Sequence, residues 1–351
     1  MPKRRVRNAL TQTQKRKKEH LELCLDTQSI SSPSSTGFED YRFVHNALPE
    51  LDIEEIDIGT TFLGKRLKAP ILISSMTGGF DLARKVNRNL AAAAQSLGLA
   101  MGVGSQRVAI EEPSAASSFQ VRDVAPDILL LSNLGAVQLN YGYGIEQCRR
   151  AVAMISADGL IFHLNVLQEA VQPEGNRNFR GLTEKIARVC RELDVPVIAK
   201  EVGNGISVEV ARRLHRAGVK AIDVAGKGGT SWSAVEAQRA AKMGQRPDTV
   251  FADWGIPTQE ALISVRKALP DIELIASGGI RTGVDIAKSI ALGANLGALG
   301  QPVLGAALES ADKVIEFMAG VIHELKVTML CTGAKDLRAL REAQLARSSR
   351  L

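Results

Sequence analysis

From about residue 70 onward the chain repeats one pattern, in which a short apolar run is followed by a polar or glycine-rich turn and then by an amphipathic stretch of helical period. Apolar strands that alternate with helices are typical of a parallel sheet buried on both faces. Eight predicted strands follow from the pattern: Pro70–Met76, Leu99–Gly104, Ile128–Asn133, Leu160–Asn165, Val195–Lys200, Ala221–Ala225, Ile272–Ser277 and Asn295–Gly300. The clearest predicted helices are Leu82–Leu97, Leu182–Leu193, Val208–Ala217, Gln259–Leu269 and Val284–Leu292.

Eight such units suit a closed barrel better than an open doubly wound sheet, which usually stops near about six strands. We therefore predict an α/β fold, a (β/α)8 TIM barrel over residues 70–345 with an N-terminal extension. Residues 15–69 form a leader that is expected to contribute a substrate-binding helix and to pack across one barrel mouth. Within it, SISSPSSTGFED is predicted to be a mobile connector, and residues 1–14 a flexible basic tail.

The formal net charge of +6 is concentrated at the N-terminus. Residues 1–20 alone have a balance of +7, which leaves −1 for the rest of the chain. Such an arm is compatible with a solvated tail, a nucleic-acid patch or a clamp for a phosphate-rich ligand. Composition favours the solvated tail for residues 1–10, whereas residues 15–21 have the Lys, Glu and Leu content of a short helix that could hold cations in place.

The remaining composition indicates an ordinary globular protein. No apolar run reaches the roughly 18 residues that cross a bilayer, and the basic start has no apolar region of a secretory signal, so we expect a cytoplasmic protein with no membrane partner. The four cysteines lie far apart, which excludes a C-x-x-C pair and a zinc knuckle. We expect reduced and mostly buried thiols.

The last two predicted units carry the most specific signal for a ligand. Glycine-rich turns follow both strands, in ASGGIRTG and GALGQP, where barrels bind phosphate through backbone N–H groups and a helix N-terminus. A Cβ atom at these glycines would block the approach of the phosphate, and Arg281 would add a fixed cation. The alternative is that Gly278, Gly279 and Gly300 only make tight turns.

Small polar residues and one lysine surround the same predicted rim. Lys200 ends the fifth strand, where it is either a solvated lysine beyond the sheet or a cation that holds the pyrimidine edge of a flavin. A planar polar ring would use further donors and acceptors at the strand ends, which here are Ser74, Ser75, Met76, Thr77, Ser105, Asn133 and Thr230.

The fourth predicted strand, LIFHLNVLQEA, sends His163 and Asn165 to one face by its alternation of two residues. Either they line a site or His163 is a hydrogen-bonded structural histidine. Gln168 could orient a proton or a water, and Glu169 is a plausible oxygen ligand for Mg²⁺. Elsewhere, Arg107 offers a further anion contact, and the GTSWSAVE stretch spaces Trp232 and Glu236 one helical turn apart.

In their order and number, these motifs resemble those of the FMN-dependent type 2 isopentenyl-diphosphate isomerases. The resemblance runs from Arg16, Lys17, His20 and Leu21 through SSMTGG, GSQR, FHLNVLQEAVQPEG, AKEVG, GGTSW, DWGIPT, ASGGIRTG and GALGQP, nearly the whole length. It implies an FMN site of Ser75, Met76, Thr77, Ser105, Asn133, Lys200, Thr230, Gly279, Arg281, Gly300 and Gln301. It also implies a substrate site of Arg16, Lys17, His20, Ser105, Arg107, His163, Asn165 and Gln168, with Glu169 as the Mg²⁺ ligand.

The activity that the resemblance implies is the 1,3-allylic proton shift between isopentenyl and dimethylallyl diphosphate, with Gln168, Glu236 and His163 as the catalytic residues. NADPH is the implied reductant of FMN, and a homotetramer or homo-octamer is the implied assembly. A small prenyl diphosphate is expected as the partner, rather than a nucleic acid. The main alternative is an FMN-dependent 2-hydroxy-acid oxidase or dehydrogenase, which would need a histidine base and paired arginines near the last strands.

Overall fold

A computed structural model of the protein describes residues 11–26 and 30–347. Eight parallel strands close into a barrel, which confirms the predicted fold. In chain order around the barrel they are β4 (Ile71–Ile73), β5 (Ala100–Gly102), β6 (Leu130–Gly135), β7 (Gly159–Leu164), β8 (Val197–Glu201), β9 (Ala221–Asp223), β10 (Glu273–Ala276) and β11 (Leu296–Leu299). Parallel pairing of β11 with β4, in the register Ala298 to Leu72, completes the circle.

Helices follow the strands as the periodicity predicts. Those of the described residues are α1 (Gln12–Leu23), α2 (Asp81–Leu97), α3 (Arg107–Glu111), α4 (Ile145–Ile155), α5 (Val166–Val171), α6 (Leu182–Glu192), α7 (Val208–Arg216), α8 (Trp232–Lys242), α9 (Thr258–Ala268), α10 (Gly283–Ala291), α11 (Gln301–Glu309), α12 (Ala311–Thr332) and α13 (Leu337–Glu342). All five predicted helices are confirmed to within one residue at each end. Local signals explain this accuracy, since Gly98 ends α2 in the left-handed conformation and Thr282 begins α10 with a capping box.

The leader closes the amino-terminal end of the barrel with a hairpin. Strands β2 (Thr60–Phe62) and β3 (Lys65–Leu67) pair antiparallel, and the fully buried Phe62 and Leu67 pack among interior side chains from the first residues of the strands. The partners are Leu72, Ala100, Leu129, Leu131, Ile161, Ile198, Ala221, Ile275, Leu296 and Ala298. An apolar plug of this kind fills the lower layers of the barrel interior and leaves only the opposite end open to ligands.

The leader also covers the opposite end of the barrel, whereas the sequence predicted that it would cover one mouth only. Helix α1 lies over the carboxyl ends of the strands, where Gln14 Nε2 donates to the carbonyl of Gly79 at 2.8 Å. The helix starts at Gln12, so residues 12–14 belong to it rather than to a tail. The first ten residues, for which a solvated tail was predicted, lie outside the described residues.

The prediction of a mobile connector is wrong for residues 30–36. Backbone hydrogen bonds join Ser32 N to the carbonyl of Gly229 at 2.8 Å and Gln259 N to the carbonyl of Thr36 at 3.0 Å. The seryl side chains Ser32 and Ser34 also donate to the carboxylate of Asp253. Serine-rich composition therefore supplies hydrogen bonds to the barrel here, because the connector runs along a loop that offers backbone and carboxylate partners.

The leader also pairs with the C-terminal end of the chain. Strand β1 (Tyr41–Phe43) pairs antiparallel with β12 (Leu345–Arg347), which joins the leader to the C-terminus.

The four cysteines are free thiols, as predicted, but only Cys148 is buried and the other three are half-buried. Among the helices of residues 11–26 and 30–347, none has the length and apolar character needed to cross a bilayer.

We expect Phe62→Ala to lower the free energy of unfolding by about 3 to 5 kcal/mol, because it removes a fully buried aromatic ring from the barrel plug and leaves a cavity. Urea denaturation of the two proteins would measure the difference. The matched control is Thr61→Ala, an exposed position on the same strand, for which we expect a change within about 0.5 kcal/mol. Equal stability of the Phe62→Ala variant would show that the hairpin does not close the barrel.

Candidate active site

One pocket at the carboxyl ends of the strands brings the predicted site residues together under helix α1. Every predicted cofactor, substrate and metal residue lines this pocket, together with two of the three predicted catalytic residues. They are Arg16, Lys17, His20, Ser75, Met76, Thr77, Ser105, Arg107, Asn133, His163, Asn165, Gln168, Glu169, Lys200, Thr230, Gly279, Arg281, Gly300 and Gln301. The exception is Glu236, which lies behind the wall.

The glycine-rich turns are required for two different reasons. Gly278 and Gly279 have φ values of 95° and 78°, and a Cβ at Gly278 would lie 2.1 Å from the carbonyl oxygen of Gly226. The tight-turn alternative therefore accounts for these two residues. A Cβ at Gly300 would meet no atom nearer than 3.6 Å, so this residue instead leaves space open above the pocket.

The features that suit a phosphate are the backbone and the start of α11, more than Arg281. No side chain caps the N-terminus of α11, and both Gly300 and Gln301 line the pocket there. The Arg281 side chain is exposed and makes only a 3.4 Å contact with the carbonyl of Gly279. It is thus an accessible cation rather than the fixed one that the sequence predicted.

Unpartnered hydroxyl groups line the same part of the pocket. Ser75 Oγ and Thr77 Oγ1 are buried, and neither has a hydrogen-bond partner among residues 11–26 and 30–347. Buried polar groups normally find a partner, so these two indicate a polar ligand above the ends of β4 and β5. Hydroxyls at this rim, glycine turns and an uncapped helix start together fit a planar polar ring with a phosphate tail, as in FMN.

Lys200 is neither a solvated lysine nor an isolated cation. It is 8% exposed, and its Nζ lies 3.0 Å from Asp223 Oδ2 and 3.1 Å from Ser277 Oγ. Ser277 Oγ in turn donates to Asp223 Oδ1 at 2.6 Å. The sequence analysis missed Asp223 and Ser277, although an aspartate at the end of the apolar strand AID was an available signal.

Helix α1 contributes two cations to the other half of the pocket. Lys17 Nζ donates to the carbonyl of Ser105 at 2.5 Å and lies 5.1 Å from the centroid of the Phe119 ring. Burial and the nearby guanidinium groups of Arg16 and Arg107 lower the pKa of Lys17 to about 7. Arg107 is paired with Glu111 at 2.7 Å and Arg16 lies 3.9 Å from Glu174, whereas Lys17 makes no ion pair with a described carboxylate. Lys17 is therefore the cation at this end that is best placed to receive an anion.

His163 lies beside this cationic end and is neutral at physiological pH. Burial lowers its pKa to about 4, and the positive charges of Lys17 and Lys200 act in the same direction. Its Nδ1 is 2.7 Å from Asn133 Oδ1, an oxygen that can only accept, so Nδ1 carries the proton. The remaining nitrogen, Nε2, is then an acceptor, and a negative charge bound nearby would favour protonation of the ring.

Asn165, Gln168 and Glu169 form one hydrogen-bonded group at the end of β7. The last two lie on the short helix α5, which begins directly after Asn165. Asn165 Nδ2 donates to Gln168 Oε1 at 3.2 Å and to Glu169 Oε1 at 3.1 Å, while Asn165 Oδ1 is buried without a partner. Within residues 11–26 and 30–347 no cluster of three or more metal-ligating side chains exists. A cation held here would use Glu169 and Asn165 oxygens and take its other ligands from a bound anion or water, a coordination that suits Mg²⁺.

Glu236 is 1% exposed and reaches the pocket through the side chains of its neighbours. Its Oε1 lies 2.9 Å from His20 Nε2 and accepts a hydrogen bond from Gln168 Nε2 at 3.2 Å. Burial alone would raise its pKa, but the hydrogen bond with His20 and the ion pair with Arg239 outweigh this effect and lower the pKa to about 2. Glu236 is therefore a buried carboxylate behind the pocket wall. The spacing of residues in the sequence did not predict its partners.

The long segment between β9 and α9 divides between the pocket and the surface. Trp232 begins α8, lines the pocket and contacts the His20 ring edge-on with centroids 5.2 Å apart. Trp254, by contrast, is 63% exposed and lies in a separate outer groove. Only the first half of this segment therefore builds the site.

The fold and the pocket are those of a flavin-dependent α/β barrel. A family model described as FMN-dependent dehydrogenase matches residues 9–124 and 165–347. Solved structures of mandelate oxidase superpose with TM-scores of 0.65 and 0.67 at 20% identity, covering 94% of this chain and 92% and 95% of theirs. At this identity the superposition speaks for the fold alone.

Curated relatives are much more similar. Isopentenyl-diphosphate delta-isomerase from Nostoc sp. is 52% identical over 95% of this chain and 95% of its own length. The protein of the same name from Stutzerimonas stutzeri is 53% identical over 95% and 97%, and that from Rickettsia bellii 52% over 94% and 97%. The chain belongs to the isopentenyl-diphosphate delta-isomerase family, within the FMN-dependent barrel class.

We expect binding of inorganic pyrophosphate to be coupled to protonation of Lys17. Below pH 7 the amine is already charged, so its contribution to affinity is constant, whereas above pH 7 the anion must draw a proton and affinity falls as pH rises. Calorimetry between pH 6 and 9, in buffers of different ionisation enthalpy, measures the protons taken up.

The contribution of Lys17 to pyrophosphate affinity and to proton uptake is the difference in these two quantities between the native protein and Lys17→Met. We expect that variant to bind pyrophosphate more weakly and to take up fewer protons near pH 8. Lys18→Met is the matched control, since Lys18 is exposed on the same helix and paired with Glu22. An identical proton count in the native protein and Lys17→Met would refute the assignment.

Proposed function

We propose that the protein interconverts isopentenyl and dimethylallyl diphosphate with reduced FMN and Mg²⁺, as part of isoprenoid biosynthesis. The observation that carries the proposal is the joining of two half-sites in one pocket. One half, with the unpartnered Ser75 and Thr77 hydroxyls, suits a flavin, and the other, under helix α1, suits a polyanion. The name shared by relatives at 52% identity supports the same activity.

The reaction moves one double bond and is redox-neutral overall. A proton is added to the terminal alkene carbon, and another is removed from the carbon between the alkene and the diphosphate-bearing carbon. An unactivated alkene is a poor base, so the barrier lies in protonating carbon and in stabilising the positive charge that follows. When bound, reduced FMN supplies a movable proton at N5 and an electron-rich ring against that charge.

Eleven side chains and backbone groups of the pocket are proposed to hold FMN. Ser75, Met76, Thr77, Ser105, Asn133, Lys200 and Thr230 would line the ring and ribityl chain, and Gly279, Arg281, Gly300 and Gln301 would hold the phosphate. The positive charge of Lys200 favours an anionic ring beside it. Because Asp223 lies 3.0 Å from that ammonium, the net field at the ring is weaker than that of an isolated lysine.

The substrate diphosphate is proposed to bind under α1 through Arg16, Lys17, His20, Ser105, Arg107, His163, Asn165 and Gln168, with Glu169 as the Mg²⁺ ligand. The diphosphate does not react, so its binding energy can serve to hold the short prenyl chain in place. A neutral His163 beside Lys17 would gain a proton as the anion enters, and it then donates hydrogen bonds to the anion instead of acting as a free acid.

Gln168 is proposed as the side chain nearest the reacting carbons, with Glu236 behind it. A glutamine cannot ionise, so it can only orient or relay a proton. Glu236 is ionised and hydrogen-bonded to Gln168 at 3.2 Å, and a carboxylate in this position can accept a proton through that amide. His20, which contacts Glu236 at 2.9 Å, offers a second route to the same acceptor.

The rival proposal, an FMN-dependent 2-hydroxy-acid oxidase, accounts for the barrel and the flavin half-site equally well. It requires a histidine base and paired arginines close to the last strands. Of the described residues that line the pocket, the histidines are His20 on α1 and His163 on β7, and neither lies on β10, on β11 or on the loops that follow them. That placement favours the isomerase proposal.

Other properties are proposed on the resemblance alone. They are reduction of FMN by NADPH, assembly as a homotetramer or homo-octamer, and a cytoplasmic location. We also propose no role for nucleic acid, because Arg16 and Lys17 of α1 line the pocket and, of the basic residues of that helix, only Lys15 and Lys18 are exposed.

We expect flavin-free protein to convert no isopentenyl diphosphate, and activity to return on addition of FMN, dithionite and Mg²⁺. Proton NMR in D₂O distinguishes the two methyl signals of the product from the single methyl signal of the substrate. Free FMN with dithionite and no protein is the control. Isomerisation by the flavin-free protein, or yellow protein that oxidises 2-hydroxy acids without isomerising the alkene, would refute the proposal.

We expect Glu169→Gln to raise the Mg²⁺ concentration needed for half-maximal activity by about tenfold or more, since the change removes the single carboxylate proposed for the ion. The FMN absorption spectrum should not change. Glu184→Gln, at an exposed position of α6, is the matched control with the same chemical substitution. An unaltered Mg²⁺ dependence in Glu169→Gln would exclude this residue as the ligand.

A further inference from the structure

A buried arginine joins three separate segments around the pocket. Arg239 lies on α8 and is 5% exposed, and each nitrogen of its guanidinium group contacts a different carboxylate. Nη1 donates to Glu236 Oε2 at 2.7 Å, Nε to Glu19 Oε2 at 3.0 Å and Nη2 to Glu174 Oε1 at 3.0 Å. These three acids belong to α8, to α1 and to the loop after α5.

The contact with Glu19 connects Arg239 to the substrate-binding side of α1. Residues 16, 19 and 20 lie within about one helical turn of each other, so they share a face of α1. Arg16 from that face lies 3.9 Å from Glu174, the same acid that Arg239 contacts. Docking of α1 over the pocket therefore brings its cations and its contact with Arg239 into place together.

The contact with Glu236 supplies the cation that this buried carboxylate requires. The other groups facing Glu236 are His20 and, at a distance, Arg16 from α1, and the amides of Gln168 and Gln172 from α5 and its end. Burial lowers the pKa of His20, so that ring is a weak source of positive charge. Arg239 is the group whose charge is permanent and whose hydrogen bond to Glu236 is direct.

We propose that Arg239 is a positioning residue that orients Glu236 as a carboxylate and holds α1 closed over the pocket through Glu19. This inference rests on the proposed function for its kinetic consequences and on the contacts alone for the closure. An arginine with a purely structural role would stabilise the fold without affecting both the ionisation of Glu236 and the closure of α1. Each of these two effects therefore has its own test.

The first test compares Arg239→Gln with Arg239→Lys in FMN-loaded protein, using kcat and KM for isopentenyl diphosphate between pH 5 and 9. In the native protein the pKa of Glu236, about 2, lies below this pH range, so Glu236 gives no acid limb within it. Without the cation, burial raises that pKa, and we expect a new acid limb of kcat above pH 5 in Arg239→Gln. Arg239→Lys keeps the positive charge but cannot make the hydrogen bonds to all three carboxylates. We therefore expect the native pH profile of kcat, with a KM that stays above the native value. A pH profile of kcat in Arg239→Gln that coincides with the native one would overturn the role toward Glu236.

The second test measures closure without catalysis. Trypsin cleaves after Arg16, Lys17 and Lys18, and we expect cleavage there to be several-fold faster in Glu19→Gln and in Arg239→Gln than in the native protein. Glu19→Gln should also raise KM without moving the pH profile of kcat, because Glu236 keeps its own contact with Arg239. Glu22→Gln, an exposed change on the same helix, is the control.

Native cleavage rates in both variants would overturn the closure role. If the native protein isomerises nothing, the proposed function fails, and the cleavage rates still decide whether Arg239 holds the helix. Failure of either idea is thus distinguishable from failure of the other.

Discussion

Closure of helix α1 over the barrel mouth is the interaction on which the candidate site depends, because it removes charged groups from water. An ion that loses its hydration must find a partner in the protein. In this pocket Lys200 pairs with Asp223, and Glu236 pairs with Arg239 and His20. The same closure brings the α1 cations into the pocket, so the charge distribution of the pocket depends on the position of the helix.

The two ends of the barrel divide structure from chemistry. At the amino-terminal end the β2–β3 hairpin fills the interior with apolar side chains, so that layer contributes stability and admits no ligand. At the carboxyl end the strands finish in polar residues, whose side chains converge because parallel strands end at the same rim. The leader covers both ends, which explains why a long segment, up to residue 70, precedes the first barrel strand at Ile71.

Local patterns predicted the barrel and most of the pocket, since strand ends in a parallel barrel must meet. His163, Lys200 and Gly300 could be assigned to one rim from their places in the repeat alone. The partner Arg239 was missed because its role comes from contacts across the chain, such as that between residues 19 and 239. Such contacts depend on how α1 docks, and helical periodicity carries no information about docking. The serine-rich connector was misread for the same reason, as its hydrogen-bond partners lie some 200 residues away.

The lowered pKa values at the cationic end follow from the same closure and bear on selectivity. Burial is the main cause of both shifts, and neighbouring cations add to it, Arg16 and Arg107 at Lys17, and Lys17 and Lys200 at His163. A ligand that carries several negative charges reverses the repulsion among these cations and gains from every cation at once. A carboxylate or a neutral prenyl alcohol gains from few of them. Mutual repulsion among the pocket cations is therefore a physical basis for preferring a diphosphate. This preference requires no contact with the part of the substrate that reacts.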